Sequence, residues 1–358
     1  MTDRPPSLSR AFVRRTWLQF GIAVFIFVCW QLADVFLLAF GAVIVAVLLR
    51  SIADPIRDRT PLGDGASLAL SGILVLSLLG LAGWLFGSTI TSQVSGLADR
   101  IPRSGEELRE LLSTLPFGET LGDQVGNFGA LASQLQGAAG RISGYAMNLA
   151  GAATNLLLVL FAGVYLAIRP GQARDGLLML LPNDTARPVK EAMDTSGRAL
   201  RLWLLGTLAD MTIVGVMTGI GTALIGLPSP VALGLFAGIV SFVPIVGPIV
   251  SVIPGVLLAL QLGPEMVLWT LLVYFAVQQI ESNLFYPFIQ RRAVDLPPVL
   301  TLFGVLGFGL LLGPLGVIFA TPLLVVLMVF TKMLYVRNTL GRDVEVPGER
   351  KADEPSGA

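Results

Sequence analysis

Two acidic residues in this chain fall where no water-exposed segment is expected. Asp210 lies in GTLADMTIVGV and Glu281 in VQQIESNLFYP, both inside long apolar runs. A carboxylate buried at membrane depth is costly, and it usually faces a cavity or a partner and marks an ion or substrate path. Glu281 also has polar company in Gln278, Gln279, Ser282 and Asn283. Positions 278, 281 and 282 share one helical face, because three- and four-residue spacings align. Oxygens and amides so grouped suit a dehydrated monovalent cation or a small polar solute. The competing explanation is a buried polar cluster that only ties helices together. Asp210 follows Arg201, and Glu281 precedes Arg291, by nearly the same stretch of helix, about 14 Å at 1.5 Å per residue. The two carboxylates can therefore share a depth.

Other chemistry is excluded by what is missing. The chain has no histidine and a single cysteine, Cys29. That removes disulfides, His/Cys metal centres and Ser-His-Asp or Cys-His nucleophiles. No phosphate-cradling Gly-rich Lys motif is present. No catalytic residue, metal or cofactor is expected, and a formal net charge of +0 gives no reason to expect nucleic acid.

The elements that must position these carboxylates are membrane helices. Of 358 residues, 54% are hydrophobic and 13% charged, against about 25% charged in a soluble domain. A crossing needs about 20 mainly apolar residues. Candidates are Thr16–Gln31, Val35–Leu49, Ser67–Ile90, Met147–Ile168, Leu202–Ile225 and Met266–Phe288. Two longer stretches, Val231–Leu262 and Val299–Phe330, are broken by Gly and Pro. The expected fold is an all-α integral membrane protein with about eight membrane segments. Its expected divisions are N-terminal membrane helices (1–90), an extracytoplasmic amphipathic helical subdomain (91–146), a membrane helix with a cytoplasmic linker helix (147–201), a C-terminal repeat (202–335) and a disordered tail (336–358). Lys and Arg concentrate in cytoplasmic loops. Arg4, Arg10, Arg14 and Arg15, then Arg50, Arg57 and Arg59, then Arg169 to Arg201 fit an inside N-terminus. The C-terminus is then also cytoplasmic.

The broken stretches resemble each other. LPSPVALGLFAGIVSFVPIVGPIVSVIPGVLLAL starts at Leu227 and LPPVLTLFGVLGFGLLLGPLGVIFATPLLVVL at Leu296. Both open on Leu-Pro, pass a central Gly-Pro (Gly247-Pro248 and Gly313-Pro314) and meet a later Pro254 or Pro322. Repeats with interrupted helices point to transporters. A central proline removes a backbone donor, and freed backbone groups survive in hydrocarbon only against protein or a water-filled cavity. Each stretch is expected to be a re-entrant hairpin turning at its Gly-Pro, the two being inverted. The alternative is a single long kinked span, which would place Arg291 and Arg292 on the outer side.

At SFVPIVGPIVSVIPGVLLAL, QQIESNLFYPFIQRRAVDLPPVLTLFGVLGFGLLLGPLGVIFATPLLVVL, GRALRLWLLGTLADM and KMLYVRNTL the sequence resembles the autoinducer-2 exporter (AI-2E) family of bacterial membrane transporters. The resemblance implies an inner-membrane homo-oligomer, a pentamer being one such arrangement, that exports a small polar solute such as autoinducer-2 or exchanges sodium for protons. Positions shared with the family pattern are Pro244, Gly247, Pro248, Gln279, Glu281, Asn283, Pro287, Pro297 and Pro298. Gly206-Thr207 departs from it, where Gly-Gln is expected. The expected path runs through Glu281, Gln278, Gln279, Asn283, Asp210, Pro244, Gly247, Pro248, Gly313 and Pro314. Outside transport, a membrane scaffold working through the 91–146 subdomain is the competing class. An intramembrane protease built on the two acids has no supporting motif beside either.

Overall fold

The computed structural model describes residues 31–78, 149–285 and 296–349, with a few isolated positions beside them. Most of the expected first span, the 91–146 subdomain, Pro287, Arg291 and Arg292 lie outside the described residues. Among those described, every element is a helix. In chain order they are α1 (Ala33–Arg59), α2 (Asp64–Leu78), α3 (Leu149–Ile168), α4 (Pro170–Leu178), α5 (Asn183–Leu224), α6 (Pro230–Val240), α7 (Val246–Leu260), α8 (Pro264–Ile280), a π-helical turn Glu281–Phe285, α9 (Pro298–Phe330) and a second π-helical segment Thr331–Arg337. Proline opens α4, α6, α8 and α9, where its missing N–H is one the first turn would leave unpaired anyway. α5 stops at Gly226, whose φ of 77° lets Leu227 N–H reach back to Thr222 O at 3.0 Å.

Among the described residues, three stretches are long and apolar enough to cross a membrane: Ala33–Arg59, Asn183–Leu224 and Pro298–Arg337. α3 and α4 add a fourth if taken together, although the chain bends by 88° between them. Large apolar side chains line the outer faces of these helices, among them Phe161, Phe303 and Leu310, as an apolar solvent requires. α5 is continuous through 201 and 202, so the expected linker helix and the span after it are one helix.

Both proline-broken stretches fold back on themselves. In α9 the backbone leaves the helical region at Gly313 (φ 66°, ψ −153°). A side chain on Gly309 would lie 2.8 Å from Val317 Cγ2, and one on Gly304 would strike Leu324. In one straight helix, residues 304 and 324 would be about 30 Å apart. The two arms therefore run antiparallel, with the turn at Gly313-Pro314. α6 and α7 do the same, with Leu233, Leu258 and Ala259 buried in one cluster. Here the turn is not at Gly247-Pro248 but just before it, over residues 241–245, where Ile245 takes φ 70°. Gly247 and Pro248 belong to the first turn of α7. There proline sacrifices no helical hydrogen bond, and bare Gly247 lets Ser241 Cα approach within 2.8 Å of where its Cβ would be.

α6 packs on α5 through four glycines. A Cβ on Gly234 would lie 2.5 Å from Gly215 O and 2.9 Å from Gly219 Cα; one on Gly238 would lie 2.6 Å from Met211 O. The main core joins Leu200, Trp203 and Leu204 of α5 to Leu324, Val325 and Val329 of α9, with Ile44 of α1. Arg201 ties α5 to Asp54 of α1 at 2.9 Å, and Arg50 donates to Ala167 O of α3 at 2.7 Å.

The tail 336–358 is expected to be disordered, yet 336 and 337 close the second π-helical segment and the chain as far as Glu349 is docked. Val346 is buried in the main core, Arg198 Nε donates to Gly348 O at 2.7 Å, and Arg337 holds Glu349 with two hydrogen bonds of 2.6 and 2.9 Å. One apolar anchor and these cationic clasps outweigh the tail's charged, proline-containing composition. Residues 350–358 lie outside the described residues.

Candidate functional site

A cavity of about 300 Å³ opens between α5, the turn of the α6/α7 hairpin, the end of α8 and the start of α9. α5 contributes Trp203, Gly206, Thr207, Asp210 and Val214, a stripe at three- and four-residue intervals. The α6/α7 turn contributes Ser241, Phe242, Pro244, Ile245 and Pro248. α8 and its π-helical turn bring Gln278, Glu281 and Ser282, and the second hairpin brings Pro298, Thr301 and Thr321. Trp203 and Phe242 meet edge to face at 5.6 Å between ring centroids, which fixes one wall.

The acids meet at this cavity. The Asp210 and Glu281 carboxyl groups lie within hydrogen-bonding reach of each other. Neither carboxylate brings a donor, and Asp210 Oδ1 is buried with no N–H or O–H partner. Gln278 Nε2 donates to Glu281 Oε2 at 2.6 Å. No lysine or arginine lines the cavity among the described residues. The surroundings therefore favour a proton, a cation or a neutral hydroxylated molecule over an anion.

Of the residues expected from sequence, the structure gathers Asp210, Glu281, Gln278, Pro244 and Pro248 around the cavity. Gln279 and Asn283 are not among its lining residues; Asn283 Nδ2 instead donates to Gln279 O at 2.8 Å on the exposed side of the turn. Gly247 is buried behind the wall against Ser241. Gly313 and Pro314 do not line the cavity either: Thr301 and Thr321, well below the turn, are what the second hairpin presents to it. Sequence reasoning missed Trp203, Phe242, Thr301 and Thr321. Thr207, singled out only as a departure from a family pattern, stands in the wall itself.

The sequence profile described as AI-2E family transporter matches residues 20–335. Similar proteins include YrrI of Bacillus subtilis, 35% identical over 36% of this chain and 36% of its own length. YueF of the same organism is 25% identical over 74% of this chain and 75% of its own length. MT0215 of Mycobacterium tuberculosis is 23% identical over 84% of each. All three are named only as inferred transport proteins. The chain thus spans about a third of YrrI and most of the other two. A profile match over most of the length, on apolar helices that surround a buried carboxyl pair, makes this multi-pass membrane protein a member of the AI-2E transporter family.

Proposed function

We propose that the protein exports a small polar solute of the autoinducer-2 kind across the bacterial inner membrane, through the cavity at Asp210 and Glu281. The observation that carries this reading is the cavity itself: about 300 Å³, with no basic group in its wall among the described residues, and with two carboxyls and Gln278 converging on it. That size is the low end of small-molecule sites, and the group set matches hydroxyls. No covalent chemistry is involved. The topology has about eight membrane segments with both termini cytoplasmic. The α6/α7 and α9 hairpins are re-entrant from opposite sides: α6 has 11 residues and α7 has 15, short of the roughly 20 a crossing needs, and the break at Gly313 divides α9 into two arms that are each short as well. The protein acts as a homo-oligomer, and the chain from 202 to 335 carries the path.

A second reading, sodium–proton exchange, is favoured by one specific observation: the two carboxyls face each other with no donor between them. Either a proton or a small cation resolves that repulsion, so the pair can exchange one for the other.

The test uses purified protein in liposomes loaded with a pH-sensitive dye, with Glu281→Gln beside it. Autoinducer-2 efflux that is lost in Glu281→Gln, with no sodium-driven pH change, supports solute export. A sodium-driven pH change lost in the variant supports exchange. Full activity of either kind in Glu281→Gln would remove Glu281 from the mechanism.

A further inference from the structure

α5 and α8 pack antiparallel, and contacts at two places fix their register. A Cβ on Gly221 would lie 2.6 Å from Val273 Cγ1, and Asp210 reaches Glu281. Between these anchors 214 falls opposite 278, 218 opposite 274 and 222 opposite 270. The four-residue steps keep each set on one face of its helix. Those faces carry Thr218 and Thr222 on α5 and Thr270, Tyr274 and Gln278 on α8. A row of hydroxyls thus runs from the carboxyl pair toward the end of the protein formed by Gly226 and Gly263.

The row is buried: Thr218 is 1% exposed, Thr222 0%, Thr270 0% and Tyr274 7%. Thr222 and Thr270 donate to carbonyls of their own helices, Thr218 O and Met266 O, each at 2.7 Å. Thr218 Oγ1 and Tyr274 Oη have no partner, and neither does Asp210 Oδ1 at the end of the row. An unpaired buried polar atom costs roughly 1–3 kcal/mol, and in native proteins such atoms are usually satisfied by ordered water. Three of them along one helix pair share a single remedy. The Tyr274 ring lies directly against Gly255 of α7, where a Cβ would lie 3.0 Å from Tyr274 Oη.

We propose that this seam holds a file of ordered water connecting the Asp210–Glu281 pair to the Gly226/Gly263 end of the protein, and that it carries water and protons but no larger solute. The seam is narrow at Gly221, where a Cβ would lie 2.6 Å from Val273 Cγ1. The inference rests on the transport reading only for its purpose, which is to let protons reach the pair by a route the solute does not use.

The test is silver-ion modification of single cysteines in a Cys29→Ser background, with size-exclusion chromatography confirming folded protein. Silver travels where water does and needs no transport activity. Thr218→Cys should react about tenfold or more faster than lipid-facing Val216→Cys, a ratio equal to about 1.4 kcal/mol of easier access. Ser282→Cys, in the cavity, should react fastest. Thr222→Cys serves if Thr218→Cys does not fold. A row that reacts no faster than Val216→Cys while Ser282→Cys reacts readily overturns the water file and leaves the cavity reading standing. An unreactive Ser282→Cys overturns both.

Discussion

Gly234→Ala tests whether the α5/α6 seam holds the wall of the cavity in place. The new methyl would sit 2.5 Å from Gly215 O, 2.9 Å from Gly219 Cα and 3.0 Å from Gly219 N. All three are backbone atoms, so no side chain can rotate out of the way. Ordinary carbon–carbon contact lies at about 3.5–4.0 Å, and the two helices must separate by roughly 1 Å to restore it. Overpacking of this kind costs about 1–3 kcal/mol. Gly197→Ala on α5, the other helix of the pair, has nothing within 4 Å and should instead stabilise by about 0.5–1 kcal/mol, because alanine loses less backbone freedom in a helix. Denaturant unfolding in detergent, followed by tryptophan fluorescence, reads both. Because Ser241 to Pro248 follow directly from α6, the displaced variant should also lose solute efflux. A Gly234→Ala protein as stable as the parent would refute the close-packed seam and the rigid wall derived from it.

Arg50→Ala removes the donor to Ala167 O at 2.7 Å and the ion pair to Asp64 at 2.7 Å; hydrogen bonds from a charged group are worth about 1.5–3 kcal/mol, and a melting temperature equal to the parent's would count against that clasp. Thr207→Gln places in the cavity wall the residue that the family pattern expects, so it should change which solutes leave liposomes while leaving stability near the parent's; an unchanged solute profile would disconnect Thr207 from selectivity. Hydrogen bonds from Arg337 hold the Glu349 carboxyl below its usual range. A carboxylate depressed in the folded state stabilises above its unfolded pKa, and loses that contribution as pH falls through the folded one. The docked tail should therefore loosen on acidification, beginning near the ordinary Glu range of about 4. Glu349 is 38% exposed, and such pairs contribute only ~0–1 kcal/mol. A spin label at Pro347→Cys in the Cys29→Ser background should gain mobility between pH 6 and 3; a label that loosens on raising the pH instead would contradict the sign.

The positions of Asp210 and Glu281 were legible because a charge inside an apolar run stands out. Their common depth followed from counting residues to the nearest arginine. The double-backed shape of both broken stretches was legible from Gly and Pro. The place of the first turn was not: Gly-Pro reads as a turn, but Pro248 fits equally well into the first turn of α7 and Pro244 does the breaking. Nor could sequence show which arm residues of α9 face the cavity, since its apolar residues encircle the helix and leave no stripe to read. Trp203 and Phe242 look like ordinary apolar residues until the tertiary fold brings them together. The docking of 343–349 rests on Val346 and on distant Arg198, a long-range pairing to which composition is blind.

α5 holds the tail at one point along its length and Asp210 at another. Thr195, Arg198 and Ala199 grip the segment around Gly348, and the carboxylate lies about 17–23 Å further along the same axis. No proline or break interrupts the helix between them; its internal proline, Pro188, lies before the grip. A hydrogen-bonded helix does not wind or unwind freely, so a torque applied at the grip turns the carboxylate through nearly the same angle. The N-terminal half of α5 is thus a handle on the candidate site: a ligand or modification that pries off the tail would act at the cavity without coming near it.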